Sequence, residues 1–274
     1  MTNKIITLTT DFETRDGYVG AMKGRILSIC PKAQIHDLTH DIPPQDLLAA
    51  KLALQRSLRE FNKPAVHIAV IDPGVGSSRK ALAAETEAGF LVGPDNGIFS
   101  GVLEEFPPSR IFQLHEEGPC WKKHSSFDGL HLFSPVGAYL AQGGGIEEIG
   151  HPLDEWLRLD QEKAQPSPSG WMGKVLGFDR FGNALTNLPG RQAGPGARLK
   201  IRDRVLKGVA HFEEAKSLEP VAFLQNSDGM LEICVWQGSA LEKLKLQAGD
   251  EVILVEDPEP RTSPAATKVW SPTM

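Results

Sequence analysis

Cysteine is scarce. The 274 residues hold three (Cys30, Cys120, Cys234), an odd number, far apart and with no C-x-x-C pair. That spacing excludes a disulfide framework and fits small buried side chains in a reducing compartment. Dense positive charge is missing too. No run of Lys or Arg exceeds two and the net charge is −6, so the surface suits a polyanion such as nucleic acid poorly. A small molecule, perferably a cationic one, is the better expected partner. No apolar stretch approaches the roughly 20 residues of a membrane span. The opening MTNKIITLTTDF lacks the charged start and long apolar core of a signal peptide. A cytoplasmic protein with no membrane partner is expected.

What is present is an ordinary globular composition, 41% hydrophobic and 23% charged, enough for one large core or two modest ones. The first half alternates short apolar runs with helical patterns. KIITLTT (4–10), QIHDL (34–38) and AVHIAVI (65–71) read as strands, and ALAAET, GFLVG and RIFQL as further ones. Between them, helices are expected from Tyr18 to Ile29 and over 46–61 behind Asp46 as N-cap. A third follows Ser134 as N-cap, with Pro135 at the first helical position. This alternation predicts an α/β domain with a mainly parallel sheet and flanking helices, residues 1–163. A Pro/Ser/Gly-rich linker follows within 159–170. Short strands divided by Gly and Asn turns then predict a small β-barrel over 170–257, and 258–274 reads as a flexible tail.

Several strand ends carry polar loops. VIDPGVGSSRKA (70–81) has a Pro-Gly turn and two further candidates for chemistry, Asp72 and Arg79. It fails the P-loop register, because Lys does not follow the last Gly, and it fails the dinucleotide fingerprint at Arg79. The turn alone explains the glycines, whereas ligands in such sheets bind beyond the strands' carboxyl ends. TLTTDFETRDG places Asp11 after the first strand, with Asp16 as a candidate helix cap, and LTHDIPP adds His40 and Asp41. These lack zinc-ligand spacing, so neither a metal nor a cofactor is expected. GPDNG (93–97) reads as a β-turn. In the second half FDRFGNALTN clusters Asp179, Phe181 and Asn183, and LQNSDGMLEI presents Ser227 in a turn. Together with Phe212 they offer aromatic faces and amide edges for a flat heterocycle.

TDFETRDGYVGAMKG, DLTHDIPPQD, IDPGVGSSRK, GPDNG, SSFDGLHLFSPVGAYLA, FDRFGNALTN and NSDGMLEI stand in the order and spacing of one family. From about residue 4 to about residue 256 the chain resembles the S-adenosylmethionine (SAM) hydroxide adenosyltransferases, a family that also includes fluorinases and chlorinases. The resemblance implies hydrolysis of SAM, as substrate, to adenosine and L-methionine by attack of water or hydroxide at C5′. It implies a homotrimer with sites at subunit interfaces. It gives Asp11 to the ribose hydroxyls, Phe181 and Phe212 to the adenine faces, Asn183 to the adenine edge, and Asp179 and Ser227 to the methionine ammonium. Asp72 and Arg79 match two members of an Asp–Arg–His set that handles the nucleophilic water.

Where the hydrolases carry T-F-H-G-R-D, this chain reads SFDGLH, residues 126–131. Asp128 stands at the family's His, Leu130 at its Arg and His131 at its Asp. Either Asp128 pairs with Arg79 in a rearranged water site, with His131 as a substitute group, or the protein binds SAM or adenosine with little or no catalysis. Halide-using relatives replace the loop Asp with an aromatic. This chain keeps Asp72, which ranks a SAM-dependent halogenase below a hydrolase. Glu13 stands for the usual Gly of TDFG.

Overall fold

The computed structural model describes residues 4–61, 64–123, 126–160, 163–217 and 221–255. It divides into two compact units, 1–161 and 162–274. The stretch read as a tail lies outside the described residues.

The first unit is built on a seven-stranded sheet. Its strands are β1 (Ile5–Thr10), β2 (Gln34–Thr39), β3 (Ala65–Val70), β4 (Ala81–Thr86), β5 (Gly89–Pro94), β6 (Arg110–Leu114) and β9 (Gly150–Pro152), in the order β2-β1-β3-β5-β4-β6-β9. A separate hairpin pairs β7 (Glu117–Gly118) with β8 (Trp121–Lys122). All six residues of β3 are buried, as continuous apolarity requires of a strand covered on both faces. Alternate residues feed two cores. Ile6, Leu8, Val66, Ile68 and Val70 pack with α1 (Tyr18–Ile29) and α4 (Ser134–Ala141). Ala69, Ile71, Leu82 and Leu91 pack with α2 (Leu47–Leu58) and α3 (Ser100–Glu105).

The sheet is mixed rather than mainly parallel. β1, β2, β3 and β5 run parallel, while β4, β6 and β9 pair antiparallel. The reason is local. β4 and β5 are joined by a two-residue turn, which only antiparallel neighbours accept. Gly89, at φ 122°, closes that hairpin where a Cβ would lie 2.0 Å from the Ala65 carbonyl.

Two expected caps are absent. The residue before α1 is Gly17, with no side-chain cap, and Asp16 instead faces Arg15. Ser134 does not cap α4 either, because the chain enters α4 directly from a π-helical turn over Gly129–Phe133. Asp46 does cap α2, accepting from the Ala49 N–H at 2.9 Å.

The second unit is a closed barrel. β11 (Gly170–Phe178), β12 (Ala184–Pro189), β16 (Met230–Val235), β15 (Val221–Gln225), β14 (Arg204–Gly208), β13 (Arg198–Ile201) and β17 (Glu251–Val255) follow one another round a ring. β17 seals it by pairing with both β13 and β11. Part of the expected linker forms an edge strand, β10 (Gln165–Ser167), on β11. Val175, Leu199, Leu206, Phe223, Ile233 and Leu254 fill the interior. A short helix, α5 (Ala240–Leu244), follows β16 behind Ser239 as cap.

Candidate active site

The site follows from strand order. β1 lies between β2 and β3, so successive crossovers leave it in opposite directions. The carboxyl ends of β1 and β3 therefore flank a topological switch point, where open α/β sheets place ligands. Thr10 pairs with Val70 across that edge, and Asp11 and Asp72 are the next polar residues on the two strands.

Beyond β3 the loop curls back on itself. The Val75 and Ser77 N–H groups donate to the Asp72 and Gly74 carbonyls at 3.3 and 3.1 Å, and the Arg79 N–H donates to Ser77 Oγ at 3.2 Å. This brings Arg79 over Asp72. Its Nε donates to both carboxylate oxygens at 2.9 and 3.0 Å, and Nη2 donates to Oδ2 as well. The same Nη2 donates to Asp128 Oδ2 at 2.5 Å, and the Phe133 ring lies 5.4 Å below the guanidinium. The Asp72, Arg79 and Asp128 side chains are 5%, 9% and 2% exposed. Burial alone lowers the guanidinium's pKa, but the hydrogen bonds and charge of Asp72, then of Asp128, outweigh it and hold the pKa above its ordinary value. Arg79 is a fixed cation.

Asp128 sits at the start of the π-helical turn, a form of helix common at functional sites. Its second oxygen, Oδ1, is buried without a hydrogen-bond partner among the described residues. A buried carboxylate oxygen left open in this way is costly unless something else fills the position. His131, half-buried, lies three residues further along the same turn. The carboxylates bonded to Arg79 are those of Asp72 and Asp128, and its Nη1 also donates to the Lys80 carbonyl at 3.5 Å.

Asp11 Oδ2 accepts from the Gln45 N–H at 2.9 Å. Next to it, Thr10 Oγ1 meets His40 Nδ1 at 2.8 Å, and His40 Nε2 lies 3.1 Å from Asp37 Oδ1. His40 is therefore tied to the scaffold. Among the described residues no three His, Cys, Asp or Glu side chains gather as a metal-ligand group. Glu13, where the family has Gly, adopts φ 52°, a left-handed conformation that Gly accepts without cost. Phe127 meets Phe12 and Tyr18 edge to face, and Phe12 and Tyr18 are tilted against each other, with centroids 5.3–5.8 Å apart, an aromatic wall joining the Asp11 and Asp128 segments. The sequence reading missed this wall, although two of its rings adjoin residues it singled out. It also missed Asn96, hidden in a loop read only as a turn, whose Nδ2 donates to the Ile71 carbonyl at 2.8 Å.

In the barrel, Asp179 and Asn183 are locked together. Asp179 Oδ1 accepts from the Phe181 and Asn183 N–H groups at 2.9 and 2.8 Å, and Asn183 Nδ2 donates to Oδ2 at 2.9 Å. The loop so shaped leaves Phe181 76% exposed, and Phe212, opening a 3₁₀ turn, is 44% exposed. Ser227 is exposed in a turn shaped by Asn226. Ala184 pairs with Ile233 and Pro189 with Met230, so the Asp179 loop and the Ser227 turn flank opposite ends of β12.

Residues 6–150 match the SAM hydroxide adenosyltransferase N-terminal domain, and residues 173–253 match the C-terminal domain of the same name. The chain belongs to this adenosyltransferase family. An (R)-S-adenosyl-L-methionine hydrolase of Methanocaldococcus jannaschii is 36% identical, covering 92% of this chain and 95% of its own. A fluorinase of Actinoplanes sp. is 28% identical, over 77% of this chain and 81% of its own. The crystal structure of an uncharacterized conserved protein from Thermotoga maritima superposes with a TM-score of 0.82 at 30% identity, over 92% of this chain and all of that one.

Proposed function

We infer that this chain hydrolyses SAM, transferring the adenosyl group to hydroxide and releasing adenosine and L-methionine. The observation that carries the chemistry is the buried Asp72–Arg79–Asp128 cluster with Asp128 Oδ1 left open. Water is a poor nucleophile, with a bulk pKa of about 15.7. A water bonded to Asp128 Oδ1 gives that oxygen its missing partner. As the water oxygen attacks C5′, its proton passes to the Asp128 carboxylate and Arg79 stabilises the forming hydroxide. The C5′–S bond breaks with its electron pair going to sulfur. The neutral thioether needs no acid to leave.

Joining an anion to a sulfonium also makes charge vanish toward the transition state, so a dry pocket favours the step. Arg79, Asp72 and Asp128 are nearly free of solvent, which supports such a pocket. Two carboxylates beside the nucleophile position would repel a halide, and this favours water over halogenation.

The binding roles belong to the same proposal. Asp11 takes the ribose hydroxyls, Phe181 and Phe212 the adenine faces, and Asn183 the adenine edge through the amide atoms not committed to Asp179. Asp179 and Ser227, given to the ammonium, flank opposite ends of one strand, so each is to be substituted separately. We further propose a homotrimer with sites at subunit interfaces, which two exposed phenylalanines support, and a cytoplasmic location, which three unpaired thiols support. The test is turnover of SAM in ¹⁸O-water, with products followed by mass spectrometry. Adenosine labelled at its 5′ oxygen, formed with equimolar methionine, is expected. SAM bound without release of labelled adenosine would overturn the reaction.

A further inference from the structure

The loop that carries Asp72 and Arg79 is held at both ends by one dipeptide outside it. Asn96 Nδ2 donates at 2.8 Å to the carbonyl of Ile71, the peptide just before Asp72. The Asp95 N–H donates at 2.9 Å to the carbonyl of Lys80, the residue just after Arg79. The dipeptide is itself anchored. Asp95, 3% exposed, accepts the Leu157 N–H on Oδ1 at 2.7 Å, and Asn96 Oδ1 accepts the Ile98 N–H at 3.3 Å. Gly97 follows at φ 92°, where a Cβ would lie 2.7 Å from the Leu159 nitrogen. Any side chain there would push the dipeptide out of place.

The loop's own turn bonds curl it but do not fix it to the sheet. Arg79 also reaches Asp72 from within the same loop, so their bond keeps its geometry while the pair swings as one body. Asp128 stands on a different segment, so such a swing strains the bond from Arg79 Nη2 to Asp128 Oδ2. A swing of about 1 Å is enough to cost about 10²-fold in rate when reacting groups must align.

We propose that Asn96 is a positioning residue that sets the Asp72–Arg79 pair against Asp128, with the Asp95 peptide as the second anchor. The inference rests on the hydrolysis proposed above. Asn96 makes no hydrogen bond to the guanidinium or to either carboxylate; its side-chain donor reaches the Ile71 carbonyl.

Asn96→Ala removes the donor, and Asn96→Asp removes it while keeping the shape and the Oδ1 acceptor that Ile98 uses. The two variants together separate the missing donor from a general loss of folding. In each, kcat is expected to fall by about 10–100-fold while adenosine affinity stays within about threefold of the parent. Hydrogen exchange at the Val75 and Ser77 amides is expected to quicken, with the rest of the sheet unchanged. A kcat within about twofold of the parent, or a parallel loss of kcat and adenosine affinity, would overturn the role. If the parent itself turns over no SAM, the hydrolysis reading fails. The anchoring of the loop is then decided by exchange alone: quickening confined to residues 72–80 sustains it, and unchanged exchange ends it.

Discussion

Arg79 carries two buried carboxylates on one guanidinium, so its removal leaves like charges facing each other without a cation. Arg79→Ala is expected to reduce turnover by about 10²–10⁴-fold. Adenosine affinity, measured by calorimetry, should survive, because the role proposed for the guanidinium is toward the water and not the base. Equal loss of both would remove Arg79 from the water site. Asp128→His, which restores the family's residue, should raise the rate if a weaker base limits it. His67 titrates for a different reason. It is fully buried in β3 with Nδ1 against Thr7 Oγ1 at 2.8 Å, and burial pulls its pKa from 6.5 down to about 4. The unfolded chain then binds the extra proton between those values. Stability is complete above pH 6.5 and is lost as pH falls toward 4, by up to about 1.4 kcal/mol per pH unit and about 3 kcal/mol in all. Urea unfolding of the parent and His67→Gln across that window checks this. The variant should show the flatter profile, and matching profiles would assign the acid sensitivity elsewhere.

At the scale of elements, the sequence was legible where one period ruled and illegible where the chain's neighbours decided. α1 shows its face through buried Val19, Met22 and Ile26, and β3 through unbroken apolarity. The β4–β5 hairpin looked like two separate strands because Glu87-Ala88 carries no Asn-Gly signal, so the antiparallel half of the sheet stayed hidden. Ser134-Pro135 carried a helix-start signature, but the helix begins earlier as a π turn, and no local residue pattern announces an i→i+5 bond. Caps are where this difference becomes measurable. Asp46→Ala removes a side-chain bond to the Ala49 N–H and should cost about 1 kcal/mol of stability. Asp16→Ala removes no such bond, and the exposed Arg15–Asp16 contact it breaks is worth little. Thermal melts of the two variants decide it. A comparable loss from Asp16→Ala would restore that residue as the start of α1.

For the molecule as a whole, the Asp72–Arg79 loop was recognisable from its place after a buried strand, whereas its pairing with Asp128 entered only as one of two readings that rested on the family resemblance. Asp128 meets Arg79 across 49 residues of chain, a contact set by packing α4 and its π turn on the sheet. Charge is the property that sequence and site share. The chain carries −6, and the site sets both Asp72 and Asp128 on Arg79, with Asp11 at the end of the neighbouring strand β1. SAM bears a sulfonium and an ammonium against one carboxylate, a net positive charge, while adenosine is neutral. An acidic protein attracts the first through solvent and leaves the second alone. Raising ionic strength shortens the screening length from about 30 Å at 0.01 M to about 10 Å at 0.1 M. The KM for SAM should therefore rise over that interval, with the dissociation constant of adenosine and kcat nearly constant. Because both ligands share the adenosyl group, a salt effect on the pocket itself would move them together. A common shift would show that the net charge does not steer the substrate; a shift in SAM alone ties the acidity read from the sequence to the sulfonium that the site consumes.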